Sequence, residues 1–298
     1  MPSKAFEALV AMQRARRPSR DASIGELRDM FERIVPLLGP PPDGVAIAPV
    51  TLGHLKAERF TPSGAPTDSS ALYLHGGGYC IGSLNTHRTF VAHLAKSAGI
   101  RFVSVDYRLA PENPFPAAVD DAISAYRALT RGGAFPNRIV VGGDSAGGGL
   151  TLAALAALRD AGDPLPAAAF TLSPWTDLAN TGASVDSRAS ADPLLEPWEL
   201  YAFADRYLDG SDPRNSLASP LYGDFRGFPP LLIHVGDAEI LLDDSARLAQ
   251  RARNAGVNVT FKHEPEMVHV WHFFGPLIPE GAEAIAEVGE WIQQQLAK

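Results

Sequence analysis

The spacing of hydrophobic positions changes along the chain. From Phe6 to about Leu38 apolar residues recur at helical intervals, and Ser23 with Glu26 makes a capping-box pair that opens the second half of this stretch. Gly39-Pro40-Pro41-Pro42 ends it. Short β-rich runs follow at Val45 to Leu52, Leu55 to Phe60, Ala71 to His75 and Phe102 to Asp106. Later runs of the same kind are Ile139 to Gly142, Ala168 to Leu172, Leu231 to Val235 and Val257 to Phe261. Helical stretches separate the later runs: Thr86 to Ser97, Ala117 to Leu129, Ala146 to Ala161, Asp243 to Ala255 and Ala282 to Leu296. The last carries Ile285, Val288, Ile292 and Leu296 three and four apart, which is one apolar face. A β-rich opening followed by β–α alternation predicts an α/β fold: a mostly parallel sheet covered by helices on both sides.

Two stretches interrupt the alternation. Residues 1–44 precede the first strand, and Asn180 to Tyr222 is longer than a crossover helix requires. Insertions of this kind in compact α/β domains usually serve function. The expected organisation is an N-terminal helical segment, 1–44, and a catalytic domain, 45–298, that carries 180–222 as an insertion.

Composition narrows the class. With 26 basic and 34 acidic residues the net charge is −8, which argues against a nucleic-acid partner. Cys80 is the single cysteine and cannot form an internal disulfide. The first twenty residues mix apolar positions with Lys4, Glu7, Arg14, Arg16 and Arg17, and no run approaches the length of a membrane span. A cytoplasmic location is the expectation.

The 27 glycines are unevenly placed, and eight of them fall in two short loops. In the first loop, Ile139-Val140-Val141-Gly142-Gly143-Asp144-Ser145-Ala146-Gly147-Gly148, a buried β run ends in Gly-x-Ser-x-Gly and a helix begins at once. A serine on so tight a turn needs glycine on either side, because side chains there would collide, and its hydroxyl then projects beyond the sheet. In the second loop, His75-Gly76-Gly77-Gly78 follows another apolar run. Successive glycines let backbone N–H groups approach an oxyanion, so Gly76 and Gly77, with the N–H of Ala146, are the expected donors. Neither cluster fits a dinucleotide GxGxxG, since Ile81 stands where a third glycine would, and the chain has no Gly-Lys pair for a phosphate loop.

His269 lies after the last strand and before the last helix, where a general base for Ser145 belongs in the chain order Ser…acid…His. His234, His263 and His272 are expected to be structural. No HExxH accompanies them, and no metal site or cofactor is expected. The orienting acid should leave the strand Leu231 to Val235, where Asp237, Glu239, Asp243 and Asp244 compete; spacing does not choose among them.

These motifs resemble the hormone-sensitive-lipase-like bacterial esterases of the α/β-hydrolase fold. The likeness spans nearly all of the chain after residue 45. It includes His75 to Gly78, Asp106-Tyr107-Arg108-Leu109-Ala110-Pro111-Glu112, Phe115-Pro116-Ala117, Gly143 to Gly148 and Ser173-Pro174-Trp175-Thr176-Asp177-Leu178. The family commonly carries Asp-x-Leu-x-Asp, whose first aspartate orients the histidine. The aligned stretch here is Glu239-Ile240-Leu241-Leu242-Asp243, so the resemblance implies Glu239 as the acid, with Asp237 and Asp243 as alternatives.

The resemblance further implies a helical cap made by the N-terminal segment and 180–222, with Trp175, Leu194 and Phe203 as pocket walls. It implies a homodimer paired through an edge strand and helix near the C-terminus. The expected activity is a serine carboxylesterase acting on short- to medium-chain esters through an acyl-enzyme, with a small-molecule ester as its partner. The alternatives are an amide, lactone or N-acyl hydrolase with the same triad, or a non-catalytic small-molecule receptor.

Overall fold

The structure is a computed structural model that describes residues 2–298. Eight strands form one sheet: β1 (Val45–Leu52), β2 (Leu55–Pro62), β3 (Ser70–Leu74), β4 (Arg101–Val105), β5 (Ile139–Asp144), β6 (Ala168–Leu172), β7 (Leu231–Gly236) and β8 (Val259–Glu264). Their order is β1-β2-β4-β3-β5-β6-β7-β8; β2 is antiparallel to both neighbours and every other pair is parallel. β3, β5, β6 and β7 are buried at every position, as strands covered on both faces must be, whereas β2 alternates at the margin.

Among the described residues nine α-helices accompany the sheet: α1 (Lys4–Ala15), α2 (Ile24–Glu32), α3 (Leu84–Ala98), α4 (Ala117–Arg131), α5 (Ala146–Asp160), α6 (Ser184–Ser187), α7 (Pro197–Leu208), α8 (Leu242–Asn254) and α9 (Pro279–Leu296). Alternate residues of β3 feed opposite cores. Leu72 and Leu74 pack with α4 and α5, and Ala71 and Tyr73 pack with α3 and α9. Among the described residues no helix is long and apolar enough to cross a membrane.

The helical stretch expected from Phe6 to Leu38 is broken between Ala15 and Ile24. Pro18 disfavours helical backbone before it, and Ser23 starts a new helix through the expected capping box: the Glu26 N–H donates to Ser23 Oγ (3.3 Å) and the Ser23 N–H donates to Glu26 Oε2 (2.8 Å).

The topology locates a crevice. The chain places β4 on one side of β3 and β5 on the other, so the connections leaving β3 and β5 diverge. Ligands of open α/β sheets bind beyond the strand C-termini at such a reversal. The loops after β3, β5, β6, β7 and β8 carry His75–Gly78, Ser145, Ser173, Glu239 and His269 respectively.

Candidate active site

Ser145 joins β5 to α5 at φ 51° and ψ −123°, a backbone conformation that costs a non-glycine residue about 1–3 kcal/mol. Packing enforces it. A Cβ on Gly147 would stand 2.0 Å from the Leu74 carbonyl oxygen, so only glycine lets the turn lie this close to β3. Ser145 lines a cavity of about 610 Å3 and its hydroxyl has no hydrogen-bond partner among the described residues.

His269 lines the same cavity. Its Nδ1 meets Glu239 Oε2 at 2.7 Å, which leaves Nε2 for exchange with a hydroxyl. Glu239 is fully buried, and its Oε1 accepts the Gly236 N–H (2.6 Å) and the Ser173 hydroxyl (2.7 Å). The other carboxylates of that loop are engaged elsewhere. Asp237 pairs with Arg188 at 2.8 Å, and Asp243 Oδ2 accepts the Ser184 N–H at 3.0 Å. Asp244 Oδ2 accepts the N–H groups of Thr176 and Asp177. Of the four candidates, Glu239 is the one that meets the imidazole.

Burial alone would lower the His269 pKa, but the hydrogen bond and charge of Glu239, reinforced by Asp192 and Asp144, outweigh it and hold the pKa above the usual histidine value. Ser173, at φ 49°, was missed as a site residue. Its hydroxyl also accepts the Val270 N–H (3.1 Å), so one side chain ties the acid loop to the histidine loop.

The donor loop requires one correction. The Gly76 N–H points at Asp144 Oδ1 (3.0 Å) and is not free for a substrate oxygen. Asp144 also accepts the Tyr73 hydroxyl (2.6 Å) and lies 3.4 Å from His87 Nε2, and these contacts satisfy a fully desolvated carboxylate. Among the described residues the N–H groups of Gly77, Gly78 and Ala146 donate no hydrogen bond, and Gly77 and Gly78 line the cavity. The loop turns at Gly77 (φ 116°) and Gly78 (φ 59°), so the free donors lie one residue later than expected. Asp144 thus fixes the donor loop to the serine turn. The signal available in the sequence was a carboxylate that must be buried beside the serine and so must find partners.

His234, His263 and His272 do not line the cavity. His234 and His272 face each other inside the core (Nδ1 to Nε2, 3.1 Å), and burial lowers both pKa values. His263 meets Asp237 on the outside. Tyr107 braces the donor loop by donating to the His75 carbonyl (2.7 Å) and stacking on its ring. Cys80 is buried and its thiol pKa is pushed up to about 12 by desolvation.

The cavity is roofed by the two segments that interrupt the alternation. Met12, Met30 and Ile34 come from the N-terminal helices, and Leu194, Leu200 and Phe203 come from the insertion; Trp175 lines it from the β6 loop. Arg14 donates to the carbonyls of Ser190 and Ala191, and Arg17 pairs with Glu196 at 2.9 Å, so α1 is tied to the insertion. Arg28 pairs with Glu112 at 2.7 Å and donates to the Cys80 and Ala110 carbonyls, which ties α2 to the body.

Residues 71–273 match the family model described as alpha/beta hydrolase fold. An "Acetyl-hydrolase" of Streptomyces hygroscopicus is 50% identical over 256 residues, covering 86% of this chain and 84% of that protein. An "Esterase" of Acinetobacter venetianus is 35% identical, covering 89% of this chain and 87% of its own. A crystal structure of an esterase from the bacterial hormone-sensitive lipase family superposes with a TM-score of 0.96 at 44% identity, over 99% of both chains. Near-complete structural overlap at that identity, together with the family match over residues 71–273, leaves one conclusion: this chain belongs to the bacterial hormone-sensitive lipase family of α/β hydrolases.

Proposed function

We propose that this protein is a serine carboxylesterase that hydrolyses short- to medium-chain esters. The observation that carries the reading is the meeting of Glu239 with His269 at 2.7 Å beside a strained, cavity-lining Ser145 and three free backbone donors. Relatives named esterase and acetyl-hydrolase support it.

In the reaction Ser145 Oγ attacks the ester carbonyl while His269 Nε2 takes its proton. Glu239 holds the ring in the tautomer with Nδ1 protonated and stabilises the imidazolium. The N–H groups of Gly77, Gly78 and Ala146 receive the oxyanion, a contact that strengthens as charge develops. His269 returns the proton to the leaving alkoxide, and water then attacks the acyl-Ser145 by the same steps in reverse. The chemistry uses protein groups throughout, so the reading calls for no cofactor.

The apolar roof makes residues 1–44 and 180–222 a cap that grips the substrate's carbon chain, with Trp175, Leu194 and Phe203 among its walls. Each methylene buried there gains about 0.8 kcal/mol, roughly fourfold in kcat/KM, until the space is filled. Across p-nitrophenyl esters, kcat/KM should climb from acetate to about hexanoate and fall beyond about ten carbons, as expected of a pocket of ordinary ligand size. A profile still rising at palmitate would contradict the cap.

The lone buried thiol suits a reducing compartment, so we assign the protein to the cytoplasm. β8 is an outer strand with no position fully buried, and an uncovered edge favours pairing with a second copy through β8 and α9. Sedimentation equilibrium should then give twice the chain mass of 31.8 kDa, and a monomer at micromolar concentration would refute the dimer.

A further inference from the structure

The cavity above Ser145 is walled mainly by apolar side chains, yet two buried polar ones besides the groups of the reaction line it with hydrogen-bonding capacity unused. Gln13, on α1, is 6% exposed, and among the described residues neither its Oε1 nor its Nε2 has a partner. Glu199, in the first turn of α7, is also 6% exposed; its Oε2 accepts the Glu196 N–H at 2.9 Å, and its Oε1 accepts nothing. Arg17, four residues after Gln13, makes no hydrogen bond to Glu199. That guanidinium is engaged by Glu196 and by the carbonyls of Asp192 and Pro193.

A buried amide and a buried carboxyl left partly unpaired cost stability, and natural cores rarely retain such groups without a use. Both lie on the cavity that receives the ester in the reading above, on which this inference rests. They come from different segments, α1 and the insertion, and both line that cavity. We propose that Gln13 and Glu199 form a polar subsite for a hydrogen-bond-donating group, a hydroxyl, carried by the substrate away from its ester carbonyl. The hydroxyl donates to Glu199 Oε1 and exchanges a second hydrogen bond with the Gln13 amide. Burial raises the Glu199 carboxyl to about 7, so near neutrality it also supplies a donor in its protonated form. Such a site discriminates well, because an ester without the hydroxyl leaves these groups unpaired.

The test compares esters matched in length. The alcohol side is probed with 6-hydroxyhexyl acetate against heptyl acetate, and the acyl side with p-nitrophenyl 6-hydroxyhexanoate against p-nitrophenyl heptanoate. In the wild type, kcat/KM for the hydroxylated ester should equal or exceed that of its partner on one side. Gln13→Leu and Glu199→Leu should each lower that ratio about tenfold, mainly through KM, and the conservative Glu199→Gln should lower it less. A wild type that disfavours the hydroxyl on both sides would overturn the subsite, whatever the variants do. So would variants that change both members of a pair equally. Failure to hydrolyse either plain ester would instead refute the esterase reading.

Discussion

Replacing Ser145 with alanine is expected to lower kcat for ester hydrolysis by about 10⁴–10⁶-fold, the range in which loss of a catalytic nucleophile falls. The fold should survive. Alanine keeps the same Cβ at the same φ of 51°, so the backbone cost is unchanged. The hydroxyl has no hydrogen-bond partner among the described residues, so its removal leaves no buried group unpaired. Stability to urea should therefore move by no more than about 0.5 kcal/mol. A variant that retained a tenth of wild-type turnover would remove Ser145 from the chemistry.

Glu239→Gln should cost about 10⁴-fold in kcat, the loss seen when a triad acid becomes its amide. One amide oxygen can still accept the Gly236 N–H and the Ser173 hydroxyl, so the loop is held. What is lost is the charge at 2.7 Å from Nδ1 and the preference for the tautomer whose Nε2 can take a proton. The pH dependence follows with a definite sign. His269 acts as base only when neutral, and its pKa in the folded protein is raised. Wild-type kcat/KM should therefore fall toward acid with a midpoint above the ordinary histidine value of about 6.5. Removing the Glu239 charge should move that midpoint down. Asp237→Asn and Asp243→Asn should change kcat by less than about threefold, since these carboxylates serve Arg188 and the Ser184 N–H. If Asp243→Asn silenced the enzyme while Glu239→Gln did not, the acid would be misassigned.

The eight strands were legible because central strands buried on both faces read as unbroken apolar runs, and β3, β5, β6 and β7 are of that kind. Ser145 was legible for a similar reason: the glycines on either side of it let the turn lie against Leu74, and no other residue would fit there. Three identical letters in Gly76-Gly77-Gly78 carry no such information. Which N–H faces the cavity depends on φ values of 116° and 59° and on a carboxylate 68 residues away, neither of which a local pattern encodes. The choice among four carboxylates likewise needed the path of the loop, which buries Glu239 and leaves Asp237 at the surface. Gln13 escaped notice because a glutamine in an amphipathic helix reads as solvent-facing until it is seen buried on the cavity.

In the proposed reaction the ester's acyl group passes through Ser145. Mixing enzyme with excess p-nitrophenyl butyrate, quenching in acid within the first turnover and mapping the peptides by mass spectrometry reads that step directly. A butyryl adduct should appear on the peptide that carries Ser145, be absent from Ser145→Ala and accumulate when deacylation is slower than acylation. Turnover by wild-type enzyme with the adduct on another residue, or equal turnover by Ser145→Ala, would contradict that route.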